Sequence, residues 1–466
     1  MFQITIKTNT GEVCGSFDSE ILLSVAMEQL GVSQDKPCGG KGICKKCLVK
    51  ANGAEVLSCC TSVNEDTYVE YTTPKSKIQG MTDGFMTDFA KKPLIDKGYG
   101  IAIDIGTTTI AGYIYAFPQG ECIKQTALPN PQAAYGADVI SRIDYANRGG
   151  LEKLQDAVIT AIKKLAEGYP IQRYVITGNT TMLHLLTGKD PCGIALAPYT
   201  PETLFGDWYE NAYLPGCISA YVGADITTAI LASGMRKDKT SFLVDIGTNG
   251  EMALWHNGKL KCCSTAAGPA FEGAGISCGT YAVRGAINRV FLENGSVRYT
   301  TIDNQPPIGI CGTGLIDAVA CMVQLGVIDE TGYLEQDYEI GDSKICITPE
   351  DIRQVQLAKS AIRSGIDTLL HSCGLAYADI ERFYIAGGFG SYIDINSAAK
   401  IKLIPKEVVS KAVVIGNSAG SGAAMILQSE ASLEESVVIA ASAETEELST
   451  SSYFMEKYMD SMMFGE

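Results

Sequence analysis

The chain opens on a strict alternation of apolar and polar residues. FQITIKT (2–8) puts Phe2, Ile4 and Ile6 on one face of a strand. SEILLSVAMEQLG (19–31) then shifts to helical spacing and closes on Gly31, and KCLVKA and TYVEYT return to strand patterning. Strands around one helix predict a small α+β domain over residues 1–73. PKSKIQGMTDGFMTDFAKKPLIDKG (74–98) has no clean period and reads as a linker. From Tyr99 the pattern changes to buried-strand runs that each end in a glycine turn: GIAIDIGTTT, RYVITGNTT, FLVDIGTNG, RFYIAGGFG and AVVIGNSAG. This is α/β patterning with ligand loops at strand ends. AIDIGTTTIAGYIY and LVDIGTNGEMALW are near copies 141 residues apart, which predicts a duplicated unit with two lobes of about 99–240 and 241–466.

Composition narrows the class. The 466 residues are 46% hydrophobic and 19% charged, and no run of 18 apolar residues offers a membrane span. The first residues lack the basic-then-apolar pattern of a signal peptide, so a cytoplasmic location is expected. In that reducing setting, clustered members of the sixteen cysteines read as metal ligands and not as disulfides. The net charge of −16 excludes a phosphate-reading nucleic-acid binder. Nine acids and one lysine fall in residues 430–466, a solvated acidic face or a docking surface for a basic partner.

The cysteines concentrate in PCGGKGICKKCLVKANGAEVLSCCT (37–61), spaced Cys38-x5-Cys44-x2-Cys47-x11-Cys59 with Cys60 adjacent. Four thiolates from a tight loop and a nearby strand can hold a [2Fe-2S] cluster or a zinc ion. Gly39, Gly40 and Gly42 let backbone N–H groups approach sulfur, which favours the cluster, and zinc more often uses paired C-x2-C knuckles. Buried cysteines without metal are the remaining alternative. The first 75 residues resemble a plant-type or adrenodoxin-like ferredoxin of the β-grasp fold. That resemblance implies Cys38, Cys44 and Cys47 as ligands, with Cys59, by its place after Leu57, ahead of Cys60 as the fourth. The short final spacing departs from the ferredoxin pattern. Cys14 reads as a small apolar residue of the first hairpin.

A strand ending in Asp-Ile-Gly-Thr that turns straight into another strand gathers a carboxylate, a hydroxyl and backbone N–H groups, the set that a Mg-phosphate needs. A lone Asp-x-Gly turn also serves as a plain hairpin; two copies and a third glycine loop, IAGGFGSYID, carry more weight. Together they resemble the actin, sugar-kinase and heat-shock-chaperone ATPase superfamily, with its two-lobed ribonuclease-H-like fold, over about Tyr99 to Ala440. The resemblance implies a first phosphate loop of Asp104, Gly106, Thr107 and Thr108, and a second of Asp245, Gly247, Thr248, Asn249 and Gly250. Asp104 and Asp245 would be the catalytic carboxylates, and Gly387, Gly388 and Gly390 would contact the nucleoside of ATP. The helices after RYVITGNTTMLHLL and NSAGSGAAM resemble the hinge segments. No Walker loop is present. GICGTGLIDA (309–318) is either a helix-start turn or a further ligand loop, and His184 is expected to pack locally.

The fusion of the two halves resembles the reductive activators of corrinoid-dependent enzymes. STAAGPAFEGAGISCG (264–279) is also similar to that family; Glu272 and Ser277 would contact corrinoid or partner, unless the glycines serve packing alone. The resemblance implies ATP-dependent reduction of inactive Co(II) to Co(I) through a [2Fe-2S] cluster, with Mg2+, a corrinoid protein as partner, an upstream electron donor and room for a homodimer. A plant-type cluster near about −400 mV lies above the potential that Co(I) requires, so the electron moves uphill without ATP. Relatives of that family carry an additional domain before the ATPase, for which this linker is short. Two other classes fit parts of the sequence: a small-molecule kinase with Asp225 as its base, and a nucleotide-sensing electron carrier without catalysis.

Overall fold

Alternation in the first 70 residues builds a five-stranded sheet in which Phe2–Thr8 pairs antiparallel with Gly11–Phe17 and parallel with Thr67–Glu70. Leu48–Ala51 and Ala54–Leu57 complete it, in the order second, first, fifth, third, fourth. Ile4, Ile6, Val49 and Val69 pack on Leu23, Ala26 and Met27 of the helix Leu23–Gln29. That helix stops where Gly31 turns left-handed (φ 77°). The computed structural model describes residues 1–8, 11–32, 34, 47–71, 82, 84–388 and 392–465, so Cys38, Cys44 and Gly390 lie outside the described residues.

The remainder contains two sheets with the same core topology. The first holds β1 (Gly98–Ile105), β2 (Thr109–Phe117), β3 (Glu121–Pro129), β4 (Ile171–Gly178) and β5 (Ala212–Leu214), ordered 3-2-1-4-5. The second holds β6 (Thr240–Ile246), β7 (Gly250–His256), β8 (Lys259–Thr265), β9 (Arg382–Ala386) and β10 (Ala412–Gly416), whose order 8-7-6-9-10 is identical element for element. Each sheet gains one short edge strand, Asp207–Tyr209 in the first and Ala443–Thr445 in the second. The three-residue turns β1–β2 and β6–β7 therefore occupy equivalent positions, as the repeated Asp-Ile-Gly-Thr requires. No described helix is long and apolar enough to cross a membrane.

Four helices matter for the cleft between the sheets: α1 (Ala224–Ser233), α2 (Gly312–Leu325), α3 (Pro349–Ser372) and α4 (Ser418–Gln428). α1 and α4 are buried along their lengths and pack on each other between the two sheets, sharing a core with Leu243 and Tyr384 of one sheet and Ala102 and Val175 of the other. The two helices packed between the sheets are thus α1 and α4, while the helix formed by TTMLHLLT (Thr180–Thr187) packs in the core of the first sheet. Small residues permit the crossing, since a Cβ on Gly422 would stand 2.0 Å from the Thr228 carbonyl oxygen. Gly422→Ala is expected to force the helices apart, lowering stability by about 1–3 kcal/mol, readable as a lower thermal midpoint.

Residues 84–94, within the stretch read as a linker, are laid across this helix pair. Phe85 N–H donates to Ile415 O (3.0 Å), Thr87 N–H to Ala232 O (2.8 Å), Lys92 N–H to Gln428 O (3.0 Å) and Leu94 N–H to Leu427 O (3.2 Å). The acidic C-terminal region is partly neutralised within the chain, through Lys92–Glu430, Arg236–Glu435 and Lys261–Glu446 ion pairs.

Candidate functional site

Both turns sit at the carboxyl ends of their strands, where open α/β sheets bind ligands. In the first, Gly106 N–H donates to Thr109 O (2.9 Å), and a Cβ on Gly106 would lie 2.8 Å from that oxygen, so glycine is required. In the second, Gly247 N–H donates to Asn249 O (3.1 Å). The turns face one another across a cleft of about 830 Å³, counted with its open mouth. Asp104, Gly106, Thr107 and Thr108 line one side, and Asp245, Gly247, Thr248 and Asn249 the other. Gly250 lies behind its turn, in β7 against Ile362. Gly387 and Gly388 reach the same cleft; Gly387 is left-handed (φ 109°), and a Cβ there would meet Ile246 O at 2.5 Å.

The first turn is braced from behind. Asn130 Nδ2 donates to Gly106 O (2.8 Å) and its N–H to Thr108 O (2.8 Å), while Arg142 Nη2 donates to Thr107 O (2.5 Å) and Nε to Gly136 O (2.9 Å). Arg142 is completely buried, and burial lowers its pKa only to about 10, so it stays cationic at neutral pH. A buried positive charge behind the loop favours an anion in front of it. Asn417 Nδ2 donates to Asp104 Oδ2 (2.9 Å) while its Oδ1 accepts from Gly420 N–H (2.7 Å), so the cap of α4 also orients the carboxylate.

Two more acids join Asp104 and Asp245. Asp225 enters from the first turn of α1, and Glu251 stands directly opposite Asp245 in the β6–β7 hairpin. Like charges facing across a strand pair repel. Burial pushes Asp104 up to about 6, and burial with the nearby Asp104 and Glu272 pushes Asp245 up to about 7. Asp225 and Glu251 are also raised, by burial first and then by the neighbouring carboxylates. Glu251 is 8% exposed, and its Oε1 has no hydrogen-bond partner. Among the described residues no three such side chains converge as a direct chelate. Spaced carboxylates, one of them unsatisfied, suit a cation that keeps several of its waters, as Mg2+ does.

This crowding predicts a pH dependence. The folded carboxylates keep protons that the unfolded chain has released above about pH 4, so stability is complete below that pH and is lost as pH rises through 6 to 7 and above. Without divalent cation or nucleotide, the thermal midpoint is expected to fall between pH 5.5 and 8.5, and Asp225→Asn to flatten that fall.

Glu272 does not point outward. It lies in the cleft, where Thr108 Oγ1 donates to Oε2 (2.6 Å) and Thr248 Oγ1 to Oε1 (2.9 Å). Ser277 spends its hydrogen bonds within the chain: N–H and Oγ both donate to Asp351 Oδ1 (2.7 and 3.1 Å) at the start of α3. Beside the cleft is an apolar cavity of about 710 Å³, counted with its open mouth, walled by Phe271, Tyr281, Ile302, Thr313 and Tyr392, with Thr108, Glu272 and Gly388 common to both. Of the two roles considered for GICGTGLIDA, the helix start is what forms, since Gly312 opens α2; Gly312 also lines this cavity. His184 is buried away from the cleft, its Nδ1 2.7 Å from Thr180 O.

In the N-terminal domain, Cys47 and Cys59 are buried with Sγ atoms 3.0 Å apart, and Cys60 Sγ is 3.6 Å from Cys59 but exposed. Burial and the facing Cys59 raise the Cys47 thiol. Two buried soft donors side by side suit a thiolate-ligated metal centre. Cys14 is exposed on its strand, hydrogen-bonded by Thr5 Oγ1 (3.3 Å), and is not a core residue.

Comparison with known proteins adds an independent line. Residues 239–466 match the family model described as the C-terminal domain of RACo, the ASKHA domain, and residues 99–238 match the RACo middle region. The corrinoid activation enzyme RamQ of Eubacterium limosum is 32% identical, covering 96% of this chain and 97% of that protein. Its alignment runs over 576 positions against 466 residues here, so it contains segments that this chain lacks. A [Co(II) methylated amine-specific corrinoid protein] reductase of Methanosarcina barkeri is 27% identical over 73% of this chain and 72% of its own. The solved structure of a reductive activator for corrinoid, iron-sulfur protein superposes with a TM-score of 0.73 at 29% identity, covering 99% of this chain and 98% of the other. With an actin-like ATPase fold and relatives matched from end to end, the chain belongs to the RACo family of reductive activators of corrinoid proteins.

Proposed function

We propose that this protein reduces the Co(II) of a corrinoid protein to Co(I), using ATP and electrons passed through a [2Fe-2S] cluster held by Cys38, Cys44, Cys47 and Cys59. The observation that carries the reading is the pair of equivalent Asp-Ile-Gly-Thr turns facing across one cleft, in a chain whose N-terminal domain brings Cys47 and Cys59 together. The five-stranded order with a parallel central pair supports a β-grasp, ferredoxin-like domain over residues 1–73. The buried Cys59, facing Cys47, supports it over the exposed Cys60 as fourth ligand. The cluster supplies one-electron chemistry when bound.

In the cleft, Thr107, Thr108 and Thr248 and the turn N–H groups would hold phosphate oxygens, with Asp104 and Asp245 toward hydrated Mg2+. Gly388 marks the border with the apolar cavity, whose lining suits a nucleoside. Nucleotide shifts the lobes only through its different affinity for two arrangements, and the α1–α4 crossing gives them an axis about which to differ. The test is an anaerobic mixture of the protein, reductant, Mg2+, ATP and a Co(II) corrinoid protein. A Co(I) absorption spectrum that appears only with ATP supports the reading, and reduction without ATP overturns the coupling. Transfer of phosphate to a small alcohol would instead favour a kinase with Asp225 as base.

A further inference from the structure

We propose that Glu272 is a crossbar that the nucleotide displaces. Its carboxylate occupies the hydroxyls of Thr108 and Thr248 until a terminal phosphate takes them, and its release moves residues 264–280. The inference rests on the ATP-binding reading above and deepens it by naming the groups that report occupancy.

Thr108 and Thr248 belong to different lobes, and both donate to this one carboxylate. The bridge therefore spans the cleft at the place where the two turns converge. A phosphate oxygen and a carboxylate oxygen ask for the same hydroxyl donors and carry charge of the same sign, so both cannot hold the two threonines at once. The carboxylate also has a cost where it stands, since it adds charge beside Asp245. Release works against a backbone that is packed on one side: a Cβ on Gly273 would meet Thr280 O at 2.3 Å, and Gly268 N–H donates to Thr248 O (2.9 Å), so displacing Glu272 pulls on its neighbours. Glu272 ends a short turn between Gly268 (φ 79°) and Gly273 (φ 78°), and Gly275 is left-handed as well (φ 75°). A Cβ on Gly268 or Gly275 would meet nothing within 4 Å, so the segment has open space on that side.

The far end of the segment is fastened. Ser277 is bonded to Asp351 at the start of α3, Ile310 N–H donates to Cys278 O (2.9 Å), and Thr280 N–H donates to Ile310 O (2.9 Å). Phe271 and Glu272 also wall the apolar cavity. Movement of Glu272 thus reaches both that cavity and the first turn of α3, which a side chain confined to binding phosphate would leave unmoved.

The experiment measures affinity for a fluorescent non-hydrolysable ATP analogue with Mg2+ in the full-length protein, comparing wild type with Glu272→Ala and Glu272→Gln. Hydrogen exchange of residues 264–280 is followed in parallel. Glu272→Ala is expected to bind at least tenfold tighter, with Glu272→Gln between it and wild type. Exchange in 264–280 should rise when wild type binds the analogue and should already be high in Glu272→Ala without it. Unchanged or weaker binding by Glu272→Ala, with wild type still binding, overturns the crossbar and leaves the ATP reading standing. Failure of all three proteins to bind removes both. Should Glu272→Ala not fold, Glu272→Gln decides alone: tighter binding supports the crossbar, and unchanged or weaker binding overturns it.

Discussion

Cys59→Ser is expected to yield protein without the brown colour and dithionite-bleached absorption of a [2Fe-2S] centre, while Cys60→Ser retains both. Cys59 is buried against Cys47 at 3.0 Å, whereas Cys60, one residue on, is exposed. A serine oxygen is a harder and poorer ligand than a thiolate for such a centre, so the substitution at the inward position removes a quarter of the proposed donor set. ATP hydrolysis is expected to continue in the Cys59→Ser protein, because the nucleotide cleft is built from other residues. Reduction of Co(II) should fall to background. Equal spectra for the two variants would remove the assignment.

Asp245→Asn is expected to reduce ATP-dependent Co(II) reduction about 100-fold, in line with loss of one preorganised electrostatic group in a water-poor site. The same change should leave thermal stability equal or higher. Burial and the nearby Asp104 and Glu272 push Asp245 up to about 7, and it also faces Glu251 across the hairpin, so a neutral amide of the same shape relieves repulsion in the nucleotide-free protein. A loss of activity with no loss of stability separates a working carboxylate from a structural one. Parallel losses in both would make Asp245 a packing residue.

The sequence made the two turns legible because their chemistry is local: three residues between two strands, with glycine where a side chain would collide with Thr109 O. Cys59 as partner of Cys47 came through the ferredoxin resemblance, from its place after Leu57, and not from the spacing, which departs from that pattern. Other parts of the cleft arrive from distant elements. Asn417 caps α4 and so looks like any helix start, yet it hydrogen-bonds Asp104. Glu251 had a readable signal, since a turn that pairs Ile246 with Gly250 must pair Asp245 with Glu251. The equivalent position of the first hairpin is Ala111, opposite Asp104. Arg142 gave none, for a single arginine in an amphipathic helix normally faces solvent. Glu272 was expected to contact corrinoid or partner; its hydrogen bonds to Thr108 and Thr248, one from each turn, join residues far apart in the chain and leave no local pattern. The stretch 84–94 has no period because an extended segment docked by its backbone needs none.

That docked segment sets where the chain leaves for the N-terminal domain. Its bonds reach the end of α1 at Ala232 and the end of α4 at Leu427 and Gln428, the two helices that cross between the sheets. A rotation of one helix against the other must carry these anchors with it or break one of them. Tyr71 and Gly84 are separated by thirteen chain steps, which cap their distance at about 45 Å. Should the N-terminal domain hold the proposed cluster, its distance from the α1–α4 crossing is therefore limited by chain length alone, whatever the arrangement of the cleft.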